Sequence, residues 1–427
     1  MLGHLGPGFI LSASIVGSGE LIATTQLGAR AGFVTLWVII ASCLVKVAVQ
    51  LEFGKHAIDT GETTMESLNK LPGPRFGSAH WTIWLWLALM SVKLLQMGGI
   101  VGGVALILQI LTPGTPLPLL ASATAFTVAV LVFGGHYRLI EKTSLVMMGL
   151  FTAFTLVSLL LVQSTTYAIT WEQLASGMTF SLPPAAVVVA LGAFGITGVG
   201  GDEIMAYNYW LIEKGYAAHT GPNQDTQEWA DRARGWIRVM YWDALLAMVV
   251  YTVVTTAFYL LGAAILHAQQ LVPEKDELVE TLSQIYTQTL GPGARVVFLL
   301  GALAVLFSTL LAALAAWTRM FSDAFSRLGL FDFHDEAARN RSIAVCAWCF
   351  PIVWTVLYLF FEAPAIMVII GGLATVVILL IVVFAAIDFR YYRLDPRLAP
   401  TRWYDAYLWL SIASIIGVAI YGMVQLT

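Results

Sequence analysis

The sequence predicts an all-α integral membrane protein of two five-span halves in inverted repeat, with one further span appended, and three observations predict it. Apolar residues gather into runs of about 20, the length that crosses roughly 30 Å of hydrocarbon at 1.5 Å per residue. Basic residues between the runs segregate to one side. Two runs at equivalent places in the halves are interrupted by glycine beside carboxylate. Composition agrees: 59% of residues are hydrophobic and 11% charged, against roughly 25% charged in an ordinary soluble domain. A β-barrel would instead alternate in polarity over segments of about 10 residues.

Eleven spans are expected, at about 7–28, 33–53, 81–111, 117–134, 143–164, 183–212, 239–267, 293–321, 342–361, 363–388 and 403–426. The first is broken at Gly17-Ser18-Gly19-Glu20 and the sixth at Gly198-Val199-Gly200-Gly201-Asp202-Glu203. Span 2 holds Lys46, and span 3 holds Lys93 and Gln96 at mid-depth behind the cluster Trp81 to Trp86, whose indoles suit the membrane interface. Asp243 comes early in span 7, and Ser308-Thr309 lie within span 8. Cys346 and Cys349 in span 9 have CxxC spacing, but with no second pair or neighbouring histidine they read as apolar packing. Arg402-Trp403-Tyr404 opens span 11 as a second interfacial anchor. Among the polar connections, 268–291 carries an apolar periodicity that predicts a short surface helix. No linker divides the chain, so 1–427 is expected to form one transmembrane domain, with 6–164 and 183–389 as the repeats and 403–426 as the eleventh helix.

With the N-terminus in the cytoplasm, the inside loops carry seventeen Lys and Arg and the outside loops three, Arg30, Lys275 and Arg295. That asymmetry follows the positive-inside rule and places Thr427 outside. Short loops favour a bacterial plasma membrane, the first span is expected to be retained, and a monomer suffices. The net charge of −4 is spread over loops, so nothing indicates a nucleic-acid partner. The seven histidines are dispersed, and no metalloprotease spacing, nucleophile elbow or phosphate loop occurs, so no enzyme activity and no cofactor are expected.

The two breaks carry the functional reading. A carboxylate at bilayer depth costs roughly 2.5 to 3.5 kcal/mol on insertion scales, so it is expected to face a cavity, a partner or a substrate. Glycines beside it free backbone groups to join the site, and paired broken helices in inverted repeats point to a transporter's central site.

Gly6-Pro7-Gly8-Phe9-Ile10, Glu20, Gly28-Ala29-Arg30-Ala31-Gly32-Phe33 and Leu36-Trp37-Val38 resemble the Nramp family of divalent-metal transporters, as do Gly195-Ile196-Thr197-Gly198 and Arg341. The resemblance implies a LeuT-like fold of the APC superfamily with helices 1 and 6 broken. It also shows two exchanges. The family's Asp-Pro-Gly-Asn stands here as Gly17-Ser18-Gly19-Glu20. Its Met-Pro-His falls on Asp202-Glu203-Ile204, so the thioether becomes Asp202 and the histidine positions hold Ile204 and Tyr209.

A site of Glu20, Asp202 and Glu203 with carbonyls and waters offers only oxygen, which hard ions prefer. The expected substrate is therefore a divalent metal cation shifted toward Mg²⁺ or Mn²⁺. The expected contacts are Gly17, Glu20, Gly201, Asp202, Glu203 and Tyr207, of which Glu20, Asp202 and Glu203 are the metal ligands. Lys93 and Gln96 stand where Nramp proteins usually carry acidic residues of the proton pathway, which implies weak or no proton coupling. Lys93 neutralises Asp202 or Glu203, acts as a tethered cation, or snorkels. Ser308 and Thr309 line a coupling-ion site or merely bond back to their own helix. Gly17-Ser18-Gly19 also resembles the break of amino-acid transporters, so an amino-acid or organic-amine transporter of the same superfamily is the alternative.

Overall fold

The computed structural model describes residues 17, 19–134, 137–273 and 275–426. The expected start of span 1, the Gly6–Ile10 part of the resemblance, Ser18, Glu274 and Thr427 lie outside the described residues, as do the side chains of Arg138 and Lys142.

Among the described residues, eight helices are long and apolar enough to cross a membrane. Two of the three further expected spans are present as shorter helices. Leu117–Phe133 and Met148–Ser164 are apolar helices, and span 1 is described only from its break onward, as the π-helical turn Gly19–Thr24 leading into α1, Thr25–Ala31. In chain order the other main helices are α2 (Leu36–Thr60), α3 (Trp81–Leu111), α4 (Leu117–Phe133), α5 (Tyr137–Leu161), α6 (Val187–Ile196), α7 (Gly201–Glu213), α8 (Gln227–Leu261), α9 (Ala294–Arg327), α10 (Glu336–Phe361), α11 (Pro364–Asp388) and α12 (Arg402–Leu426). The sixth span is thus two half-helices, α6 and α7. They meet at Gly198, whose φ of 67° lies in the left-handed region that glycine enters without a Cβ clash.

The core lies where α3 runs against α9, α10 and α11, and where α2 runs against α7 and α8. Small residues set these approaches. A Cβ on Gly195 would collide with the backbone of Gly372, so α6 and α11 cross at backbone contact. Such contacts suit a bilayer, where dispersion between closely approaching backbones replaces the hydrophobic drive between helices.

The helix expected between spans 7 and 8 forms over Leu278–Leu290. It is not a free surface helix: Leu278, Leu282, Ile285 and Tyr286 are buried, and it packs on α5 and α9.

Candidate functional site

At the second break, Gly200 precedes the first turn of α7, and the Glu203 side chain accepts its backbone N–H at 2.7 Å. This N3 carboxylate, reaching back to the N-cap amide, closes the start of the half-helix. Asp202 points elsewhere. Its Oδ1 accepts from Lys93 Nζ at 2.5 Å, and its Oδ2 accepts from Trp317 Nε1 at 3.2 Å. Both partners are buried, Lys93 3% exposed and Asp202 4%. Of the two break carboxylates, Lys93 therefore pairs with Asp202.

At the first break Glu20 is fully buried. Its Oε2 accepts from the Gly17 backbone N–H at 3.2 Å and its Oε1 from the Thr255 hydroxyl at 3.2 Å. Glu20 thus ties the broken first helix to itself and to α8.

A cavity of about 40 Å³ lies between the breaks, bordered by Gly19, Lys93, Gln96, Asp202, Glu203 and Trp317 among others. Of the residues expected in the site, Lys93, Gln96, Asp202, Glu203 and Thr309 border it, whereas Gly17, Glu20, Gly201, Tyr207 and Ser308 do not. Tyr207 is wholly buried away from it. Ser308 and Thr309 both donate to the Val305 carbonyl at 2.9 Å, the back-bonding alternative. Among the described residues no three His, Cys, Asp or Glu side chains converge as a ready-made metal cluster, so Glu20, Asp202 and Glu203 are not gathered into one shell. The Gln96 Oε1 is buried without a hydrogen-bond partner among the described residues.

Sequence reasoning missed several neighbours. Met97 and Met320 bring thioethers to the cavity rim, and Trp317 brings the indole that braces Asp202. Lys46, which the sequence marks only as a charge within span 2, reaches from α2 to the Phe194, Gly195 and Thr197 carbonyls at the end of α6. A single charge in an apolar span was the available signal for Lys46. Met97 gave one too, immediately after Gln96 on α3.

A family model described as Nramp, natural resistance-associated macrophage protein-like, matches residues 8–425. The chain belongs to the Nramp family. Among its relatives is the divalent metal cation transporter MntH of Acidiphilium cryptum (strain JF-5), 28% identical over 306 residues, a match covering 70% of this chain and 64% of that protein. This match spans just under two thirds of the relative's length. The MntH of Pectobacterium carotovorum subsp. carotovorum (strain PC1) is 26% identical over 354 residues, covering 81% and 76%. In structure, this Nramp-family chain is similar to the Eremococcus coleocola manganese transporter in complex with an aromatic bis-isothiourea compound. The TM-score is 0.64 at 15% identity, covering 99% of this chain and 94% of that one. It is also similar to MhsT in complex with L-phenylalanine, with a TM-score of 0.63 at 13% identity and 98% of each chain covered. These likenesses establish the LeuT-like fold with its broken helices, as the sequence predicts.

Proposed function

We propose that this multi-pass membrane protein carries a divalent metal cation, of the hard Mg²⁺ or Mn²⁺ class, through the cavity between its two breaks. The observation that carries the reading is the size and lining of that cavity. About 40 Å³ holds an ion with a few waters, whereas a cavity of roughly 150 Å³ is what accommodates a benzene ring. That size supports an ion over an amino acid as the occupant. The oxygens at hand are the Asp202 and Glu203 carboxylates and the unpartnered Gln96 Oε1. Mg²⁺ keeps several waters and takes one or two carboxylates, so this donor set suits it, and Mn²⁺ accepts the same ligands. The printed names of the MntH relatives point to the same substrate class.

Two features refine the all-oxygen expectation. Met97 and Met320 add soft sulfur at the rim, on α3 and α9 rather than on a break. Lys93 occupies Asp202 in this conformation, so an arriving cation displaces an ammonium from its ligand. The same ion pair is the one observation that favours the organic-amine alternative, since Lys93 places an ammonium where such a substrate would sit.

With Lys93 in place of an acidic residue and no histidine on the second break, the cycle runs with weak or no proton coupling. Arg327 pairs with Glu66, Arg393 with Glu62 and Arg397 with Asp395, at what the positive-inside rule makes the cytoplasmic end. The chain sits in a bacterial plasma membrane, N-terminus inside and C-terminus outside, and works as a monomer. The test is Mn²⁺ uptake into proteoliposomes. EDTA should abolish it and amino acids or polyamines should leave it unchanged. Uptake of an amino acid or polyamine that persists in EDTA would overturn the metal reading.

A further inference from the structure

We propose that the Lys46 ammonium is a built-in monovalent cation seated in the carbonyl cradle at the C-terminal end of α6, and that the protein therefore needs no monovalent co-ion.

A helix leaves its last carbonyls without intrahelical donors, and these carry the negative end of the helix dipole. In a membrane such a half-helix end has no water to turn to. Transporters with broken helices commonly satisfy it with a coupling ion, which the unwound carbonyls coordinate. Here the ligand is covalently part of the chain. Lys46 Nζ donates to Phe194 O, to Gly195 O at 3.2 Å and to Thr197 O at 2.8 Å.

An ammonium has three N–H donors and no acceptor, so three carbonyls use its whole capacity. The Ser42 Oγ lies 2.9 Å from both Phe194 O and Thr197 O, and the Thr197 hydroxyl donates to Ser42 Oγ at 2.9 Å, closing an oxygen cage around the break. Lys46 is 0% exposed, and its Nζ stands 5.0 Å from the centre of the Phe194 ring. A charge so placed is costly unless it has work to do.

Unlike Lys93, Lys46 does not border the cavity between the breaks. It lies within electrostatic range of Glu20 and Glu203, so the carboxylates of both breaks share one buried lysine. The cage is built for a small monovalent cation. The side chain supplies one.

The experiment compares thermal unfolding of the purified full-length protein in sodium, lithium, potassium and choline chloride at equal ionic strength. The wild type is expected to melt at the same temperature in all four. Lys46→Met is expected to melt lower in choline and to regain several degrees in sodium or lithium, a gain lost again when Ser42→Ala is added. A Lys46→Met melt that is equally low in every salt would overturn the proposal, because a lysine that merely caps the helix leaves no cation site behind. Lys46→Gln, which keeps an N–H donor, is the second variant and is read in the same way. A sodium-specific stabilisation of the unmodified chain also overturns it, whether or not either variant folds. Unfolding is measured without divalent metal, so the result is independent of which substrate the protein carries. In proteoliposomes, uptake by the wild type should be equal in sodium and choline, while that of Lys46→Met should rise at least tenfold on adding sodium.

Discussion

At the scale of single residues, the carboxylates of the second break are already engaged. Asp202 is held between Lys93 and Trp317, and Glu203 closes the first turn of α7. On the proposed function, a metal ion has to outcompete these partners. Lys93→Met should therefore strengthen Mn²⁺ binding several-fold in isothermal titration, by removing the competitor and leaving Asp202 free; unchanged or weaker binding would mean that Lys93 organises the site rather than guarding it. Asp202→Asn and Glu203→Gln should each weaken Mn²⁺ binding by tenfold or more, whereas Tyr207→Phe should leave it within twofold, since that ring lies outside the cavity. The carboxylates were legible in the sequence because an acid at bilayer depth has few bland explanations. Their partners were not. Trp317 stands 115 residues from Asp202 and the Thr197 carbonyl 151 from Lys46, and no local spacing encodes contacts at that separation.

At the scale of elements, the two breaks were legible because glycine next to a carboxylate contradicts an otherwise uniform apolar run. What the pattern could not convey is how closely the half-helices are held. The α6–α11 crossing rests on Gly195 and Gly372, with no room for a methyl group between them. Gly195→Ala should cost about 1–3 kcal/mol by overpacking, read as a lowered melting temperature, while Gly417→Ala, where nothing lies within 4 Å, should be neutral.

At the basic end of the bundle, α7 is latched to its surroundings. Tyr209 donates to Asp323 Oδ2 at 2.7 Å, Thr63 donates to the same oxygen at 2.5 Å, and Asn208 donates to the Glu62 carbonyl at 3.0 Å. The Glu62 carboxylate, bonded by His56 and by Lys70 at 2.7 Å, is held down to about 2 from an ordinary 4.5, the His56 hydrogen bond being the largest cause. A lowered carboxylate stabilises the fold above its unfolded value and loses that contribution as pH falls through its folded one. Part of the thermal stability should therefore disappear between pH 4.5 and about 2, and Glu62→Gln should flatten that part of the profile; an identical profile in the variant would rule this group out.

At the scale of the whole molecule, the eight long spans among the described residues were legible because bilayer thickness imposes one length on every crossing helix. The surface helix at 278–290 was only half legible: its periodicity marked it as helical, but its apolar face is covered by α5 and α9. An imposed inward proton gradient should not drive uphill Mn²⁺ accumulation in proteoliposomes; robust concentration by the gradient would show that protons enter by a route other than the missing histidines. The buried Lys93 also has an electrical consequence. Asp202 and Glu203 alone would give the empty cavity a formal charge of −2, and moving each charge through the membrane field is worth about 2.3 kcal/mol per 100 mV. Set against Lys93 they leave a formal −1 when the cavity is empty and +1 with a divalent ion in it. On the proposed function, the loaded and the empty cavity then carry equal and opposite formal charge, so neither stroke stalls on the protein's own charge.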